Sequence, residues 1–534
     1  MLVMGFFKRH FYILLIVFFF VHTLASQEHY FLHSDVSFLS QLVGNSEYRD
    51  FYQYFYEVNP PLIAYIYHLF QLPTQLGIID PVHSLRISML FYLMFIIILL
   101  NVMLKRVHLN NRKTVLVAVS FAFLFVLPVD FLQREHFIFT GCFLYVVVIV
   151  ARIEEVKLSR LIKCLAIFIW SLSICLKPQY LMVHIVIEWY YIRSAYLISS
   201  ETCIRKKLCS SLLLMLRWEN LLLVLIGISY VTIVILYFPA YFDKVVPLAR
   251  ENYSGYFKPI SSLLVMCGFV LACTLPIIFF LRKHTINSFN KVLEIVFYSS
   301  LLVYVMGQAG FSYHLFLAFG IGVYFLILCI IGQLDKRKFN FVYTIFLLFV
   351  FCVYQYASVI NIHPVNYKNS FFEFNGKTEK PVYPLFVESQ KVYLPLYESL
   401  EEITKPGDKV MSFNAQMAPF NFLRSHLNLK WVSQFPTLWP LPILLKHPND
   451  SHSISDLDFI RSILVSDIEI MNPNVILIDN SKKISRLPSG FDFYDFMNVN
   501  PKFSEAMKKY EKLDSFIYGK EIKIDIYVKN NRNN

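Results

Sequence analysis

The chain has 534 residues, 56% of them hydrophobic and 16% charged, with 52 Phe and 34 Tyr. A soluble domain cannot hide that much apolar surface, so the composition excludes a soluble globular protein and points to an integral membrane protein. The formal net charge of +12 does not mark a nucleic-acid binder, because the Lys and Arg residues sit in short loops between apolar runs.

A run of about 18 apolar residues is long enough to cross the hydrocarbon as a helix. Eleven crossings are expected, near residues 10–26, 85–104, 114–129, 136–151, 162–176, 179–198, 219–238, 259–281, 292–307, 314–333 and 340–360. The basic clusters are Lys8/Arg9, Lys105/Arg106 with Arg112/Lys113, Arg152 to Lys163, Arg205/Lys206/Lys207, Arg282/Lys283 and Lys336/Arg337/Lys338. Short loops of this kind stay on the cytoplasmic side. The N-terminus is therefore expected inside, and an odd number of crossings places everything after residue 361 outside. The expected architecture is an α-helical polytopic protein of the cytoplasmic (inner) membrane. A transmembrane domain covers residues 1–360, and a soluble extracytoplasmic α/β domain covers 361–534. The stretch "LASQ" after the first run also has the small-residue pattern of a signal cleavage site, a reading that leaves the downstream topology unchanged.

Taken in chain order, the expected outer segments hold the unusual polar residues. The first, 27–84, contains "FLHSDVSFL" with Asp35, and then "NPPLIAYIYHLF". Its apolar part at 60–76 is interrupted by Pro60, Pro61 and Pro73. It reads as juxtamembrane helix lying along the interface, with the paired prolines fixing the backbone at its start. The second, "VDFLQREHF", packs Asp130, Arg134, Glu135 and His136 into a loop too short to lift them all into water. Such groups cost about 2.5–3.5 kcal/mol each at membrane depth and face a cavity or one another. The third, "LKPQ", isolates Lys177 at an outer end, where a lysine runs against the positive-inside bias and can hold an anion. The loop 241–259 supplies Lys244, Arg250 and Lys258, and "GQAGFSYH" supplies Gln308, Gly310, Tyr313 and His314. The inner loops are merely basic, so chemistry or binding is expected at the outer leaflet.

Within the tail, helix is expected over 392–403 and in "APFNFLRSHL", with strands in "GDKVMSF", "KWVSQF", "NPNVILIDN" and "EIKIDIYVK". An α/β sandwich follows. "FPTLWPLP" reads as a rigid loop covering the sheet, with Trp439 alternatively packing on the membrane domain or touching an acceptor. All nine cysteines, Cys142 to Cys352, precede the tail, so no disulfide framework is expected in it. The sequence has no CxxC, no Cys/His metal spacing, no Walker loop and no GxGxxG ahead of a helix. An ATP-driven transporter is therefore not expected.

An enzyme at the outer leaflet lacks nucleotide sugars and ATP, so its activated donor arrives in the membrane. A sugar on a polyprenyl phosphate meets that need. The reaction requires a carboxylate to take the acceptor proton and cations to hold the departing lipid phosphate. Asp35 fits the base, and Arg134 and Lys177 fit the phosphate clamp. One base with direct attack opposite the phosphate inverts the anomeric centre, and the two-carboxylate geometry of hydrolases is not required.

These features, in this order, resemble the GT-C superfamily of integral-membrane glycosyltransferases, which includes protein mannosyltransferases and lipid A aminoarabinose transferases. The aspartate of the first outer loop corresponds to Asp35, the paired prolines to "NPPLIAYIY", and the second acidic loop to "DFLQREHF". "QREH", "LKPQ", "PLARENY" and "GFSYH" look like motifs of a bacterial branch of that superfamily. The resemblance covers about residues 10–360, and the tail is similar to an exported domain that many members carry. It implies a polyprenyl-phosphate-sugar donor, Asp35 as general base, and a glycan, lipid or protein acceptor in the cell envelope. Either Asp130 or Glu135 corresponds to the second acidic residue, with Glu135 placed beside Asp35 as catalytic. Asp130, His136, Tyr313 and His314 are supporting residues. Some members use a divalent metal, but no residue pattern here compels one. A polysaccharide polymerase or ligase would favour an arginine-rich outer loop. A lipid-linked glycan flippase would show inverted repeats and broken helices at the midplane.

Overall fold

A computed structural model of the protein describes residues 2–45, 49–109, 111–198, 203–284, 287–336, 341–357, 359, 393–481, 484, 486–518 and 522–530. Arg337, Lys338 and the opening of the expected tail, 361–392, lie outside the described residues. The chain forms two compact units. The first comprises Met1–Glu28, Arg86–Val231 and Lys258–Pro381, and the second His29–Leu85, Thr232–Phe257 and Val382–Asn534.

The first unit is helical, and the protein as a whole is a mostly helical polytopic membrane protein with a small C-terminal sheet. Among the described residues, seven helices are long and apolar enough to cross a membrane. They are His10–Gln27, Pro81–Arg106, Arg134–Ile153, Trp218–Tyr237, Ile260–Lys283, Ser288–Gly307 and Ser312–Gly332. Helices Arg112–Phe125, Arg160–Leu176, Leu181–Ile198 and Phe341–Tyr356 occupy the other four places where crossings are expected. They are shorter or more polar, so length and composition alone do not make them spans.

Local sequence sets the ends of these helices. Asp80 accepts hydrogen bonds from the Val82 and His83 amides at 3.0 and 3.1 Å, capping a helix that begins with Pro81. Lys105 and Arg106 close the same helix against its negative dipole end. Asn287 caps the helix Ser288–Gly307, which stops where Gln308 turns left-handed at φ 52°. Exposed Phe91, Phe95, Ile98 and Val102 form a stripe of helical spacing on Pro81–Arg106, a surface suited to hydrocarbon. The helix Arg134–Ile153 is instead buried on all sides and forms the centre of its unit. Small residues let its neighbours approach: a Cβ at Gly141 would lie 2.5 Å from Ser173 Oγ, and one at Gly320 would collide with the Phe139 ring. This is the packing expected where lipid offers no hydrophobic drive between helices.

The second unit holds the sheet. Its strands are β1 (Lys409–Phe413), β2 (Lys430–Trp431), β3 (Val475–Asp479), β4 (Tyr510–Tyr518) and β5 (Ile522–Lys529), in the order β2-β1-β3-β5-β4. β1 runs parallel to β2 and β3, while β5 is antiparallel to β3 and β4. The central strand, β3, is buried throughout, as a strand covered on both faces should be. The expected strands at 409–413, 475–479 and 522–529 are all present, whereas "KWVSQF" yields only two paired residues. Tyr510–Tyr518, with charges scattered along it, and helix Ser451–Ser466 were not expected.

The expected boundary at 360 divides the chain differently. It left the outer loop 27–84 with the membrane helices, but that loop and 232–257 pack with the tail. The cause is a shared core. Tyr56 stacks on Phe435 at 4.5 Å, its amide donates to the Gln434 carbonyl at 2.8 Å, and its own carbonyl accepts Trp439 Nε1–H at 3.1 Å. Trp439 is thus a buried member of that core. Phe31 stacks on Phe422 at 4.7 Å, and buried Arg424 donates to Gln41 and to the Ser37 carbonyl at 3.1 Å. Each such aromatic contributes roughly 1.5–3 kcal/mol by burial.

Candidate active site

The residues singled out in the short polar loops meet at helix ends. Glu135 lies in the first turn of Arg134–Ile153, Lys177 follows the last residue of Arg160–Leu176, and His314 lies in the short turn Ser312–Leu315 ahead of the next long helix. Successive helices run in opposite directions, so these ends share one side of the first unit. The Gly141–Ser173 contact and a hydrogen bond from Ser173 Oγ to the Phe137 carbonyl at 3.0 Å clamp the first two helices together.

Lys177 Nζ donates to Glu135 Oε1, and His314 Nε2 lies 3.7 Å from the same oxygen. Glu135 is fully buried, and Lys177 nearly so. The ammonium also sits over the Tyr313 ring, 5.2 Å from its centroid. Tyr180 donates its hydroxyl proton to the His314 carbonyl at 3.2 Å, tying the segment after Lys177 to the His314 turn. Arg134 is buried and within electrostatic reach of His314. Glu135 Oε2 has no hydrogen-bond partner among the described residues. A buried carboxylate costs free energy unless it is paired and hydrogen-bonded. One oxygen is satisfied here, and the other stays open.

Two non-glycine residues in the acidic loop adopt the left-handed region, Leu127 at φ 45° and Leu132 at φ 75°. For a bulky residue that conformation is strained, and such strain gathers at functional sites. Between them Asp130 ends the turn Pro128–Asp130 and is buried. Of the two acidic candidates, Glu135 is the one joined to Lys177. His136 acts as a structural link: its Nε2 lies 2.7 Å from the Phe123 carbonyl, in the last turn of the helix Arg112–Phe125.

Asp35 belongs to the second unit. It lies in the first turn of the helix Ser34–Asn45, half-buried, where a carboxylate favours the positive helix end. The His33 ring supports that start, since its Nδ1 accepts the Asp35 amide proton at 3.2 Å. Lys244 and Arg250 also fall in the second unit, and Lys258 in the first. Lys244 donates to the Gln53 carbonyl at 2.8 Å and sits 4.0 Å over the Tyr56 ring. Burial lowers its pKa to about 8.

The sequence reading missed a second ionic set in the first unit. Glu188 accepts from Tyr145, from Arg152 at 2.7 Å and from Asn220 at 3.0 Å, while Glu219 lies 3.3 Å from Lys163. The signal was visible, because Glu188 interrupts an apolar run expected to span. It also missed Tyr180, one residue beyond "LKPQ". No family model matches the chain, and no curated protein matches it.

Proposed function

We propose that this protein is a membrane glycosyltransferase that moves a sugar from a polyprenyl-phosphate donor to a glycan, lipid or protein acceptor. In this reading the chain has eleven spans of GT-C type, its N-terminus is cytoplasmic, and its tail is exported from the inner membrane. The observation that carries it is the buried Glu135–Lys177–His314 set, with one carboxylate oxygen open and Arg134 beside it. The open Glu135 oxygen distinguishes this set from the Glu188 set of the same unit, where both Glu188 oxygens are taken, and it favours a charged ligand here.

Lys177 and Arg134 hold the lipid phosphate. As negative charge grows on the leaving oxygen, their hydrogen bonds strengthen, which lowers the barrier. Glu135 holds Lys177 in place and offsets its charge while the donor is absent. Asp35 takes the proton of the acceptor hydroxyl as that oxygen attacks the anomeric carbon, and the configuration inverts.

The test mixes purified protein with membrane extract and radiolabelled polyprenyl-phosphate sugars, comparing the parent with Asp35→Asn. A fall in label transfer of about 100-fold or more is expected for removal of a general base. Equal transfer by the two forms removes Asp35 from that role. No transfer with any donor, together with lipid translocation in liposomes, replaces the reading with that of a flippase.

A further inference from the structure

We propose a divalent-cation site in the second unit formed by Glu251, His452 and Asp456, separate from the residues of the proposed transfer reaction. Ligand-capable atoms of these three side chains lie within 4.8 Å of one another. They come from two stretches about 200 residues apart in sequence, so no motif could announce them. His452 and Asp456 are four residues apart on the helix Ser451–Ser466 and so share one face. Glu251 reaches them from the helix Val246–Asn252.

The geometry suits a hard or borderline cation. His452 Nε2 lies 2.7 Å from a Glu251 oxygen, and its Nδ1 lies 3.7 Å from Asp456 Oδ1. Ligand bonds of about 2.0–2.2 Å put neighbouring ligand atoms about 3 Å apart. Because Glu251 and Asp456 face different nitrogens of the ring, the imidazole must turn so that one nitrogen meets the ion between the two carboxylates. The charge balance points the same way. Two carboxylates converge on one imidazole, and neither has a Lys or Arg ion pair among the described residues. The site therefore draws positive charge. Glu251 and His452 are both about half exposed, which leaves room for water to complete the coordination.

One nitrogen and two carboxylates with water match Mn2+ as well as other first-row divalent ions. The neighbouring Asn252 side chain, which donates to Asp456 at 3.3 Å, supplies a second tie between the same two helices. A bound ion would join the 232–257 segment to the tail more firmly than that neutral hydrogen bond. This role stands whether or not the chain transfers sugars.

The probe is Mn2+, added to full-length, chelator-treated protein in detergent and followed by the loss of the free-ion paramagnetic resonance signal. Mn2+ is chosen because the nine cysteines compete poorly for a hard ion. The parent is expected to hold one Mn2+ per chain. His452→Ala and Glu251→Gln should weaken binding at least tenfold, while keeping the parent's circular dichroism melt without metal. Asp458→Asn is the control, since that carboxylate pairs with Arg461 at 2.7 Å, and it should bind as the parent does. Binding by His452→Ala equal to the parent's, or a parent that leaves millimolar Mn2+ free, overturns the site.

Discussion

Two buried glutamates in the first unit make an instructive pair. Glu188 is closed: one oxygen accepts from Tyr145 and Arg152, and the other accepts from Asn220. Glu135 is open, with Lys177 and His314 on Oε1 and no hydrogen-bond partner on Oε2 among the described residues. Both carboxylates are almost inaccessible to solvent. Burial alone therefore does not separate structure from function. The accounting of each carboxylate's own oxygens does. Both Glu188 oxygens are taken, even though Arg152 Nε and Nη2 beside them lack hydrogen-bond partners among the described residues, while the open Glu135 oxygen marks a place where a ligand can be used. Leu127 and Leu132, strained on the approach to Glu135, point the same way.

The largest expected effect sharpens this contrast. Arg152→Met leaves Glu188 buried without its cation and should cost about 3–5 kcal/mol, read as a lower melting temperature in detergent. Removing both charges, with Glu188→Gln added, should recover much of that loss. If the single variant melts like the parent, the Glu188 set is not structural.

A third buried carboxylate, in the second unit, extends the comparison. Asp467 accepts from the Gln434 amide at 2.9 Å, from the Gln434 side chain at 3.0 Å, from Ser433 at 3.3 Å and from Tyr54 at 3.4 Å. It is closed by neutral donors, and burial pushes its pKa up to about 7. The folded state therefore keeps a proton that the unfolded chain has already released. The stability this gives is complete below the unfolded pKa and is lost as pH rises through about 7, by roughly 4 kcal/mol at most. Lys244, lowered to about 8 from 10.5, acts in the opposite window. Its contribution is present above pH 10.5 and lost as pH falls through 8. The second unit should be least stable near pH 7–8. Unfolding followed through Trp431 and Trp439, with the other tryptophans replaced by Phe, checks this, and Asp467→Asn should flatten the acid limb. A stability maximum at pH 7–8 would contradict it.

Smaller effects probe position. Gly141→Val forces a side chain against Ser173 and should cost about 1–3 kcal/mol by overpacking. It should also separate Lys177 from Glu135, so sugar transfer per folded molecule should fall. Transfer unchanged in a destabilised Gly141→Val would show that the pair's spacing does not matter. Trp439→Phe removes the hydrogen bond to the Tyr56 carbonyl together with part of a buried ring, and about 1–3 kcal/mol is expected, measured in the same fluorescence-detected unfolding.

Much of this was legible in the sequence, for reasons particular to each element. Apolar runs bounded by basic clusters announced the helices, and "NPNVILIDN" and "EIKIDIYVK" announced β3 and β5 by turn residues and alternation. Glu135, Lys177 and His314 could be assigned to one face because successive helices alternate in direction. Tyr510–Tyr518 was hidden because Glu511, Lys512 and Asp514 obscure its period. The union of the outer loop with the tail was hidden for a different reason. Tyr56 and Trp439 are 383 residues apart, and nothing local to either one names its partner. The closed state of Glu188 likewise depends on Tyr145, Arg152 and Asn220, each unremarkable in its own stretch.

The most direct measurement compares sugar transfer per folded molecule for Glu135→Gln and Glu188→Gln, using radiolabelled polyprenyl-phosphate donors. The open carboxylate should matter to the reaction and the closed one to the fold. Glu135→Gln strands buried Lys177, so it should melt earlier as well as lose about 100-fold of transfer per folded molecule, while Glu188→Gln should melt earlier yet transfer within a few-fold of the parent. Parent-level transfer by Glu135→Gln would contradict the account.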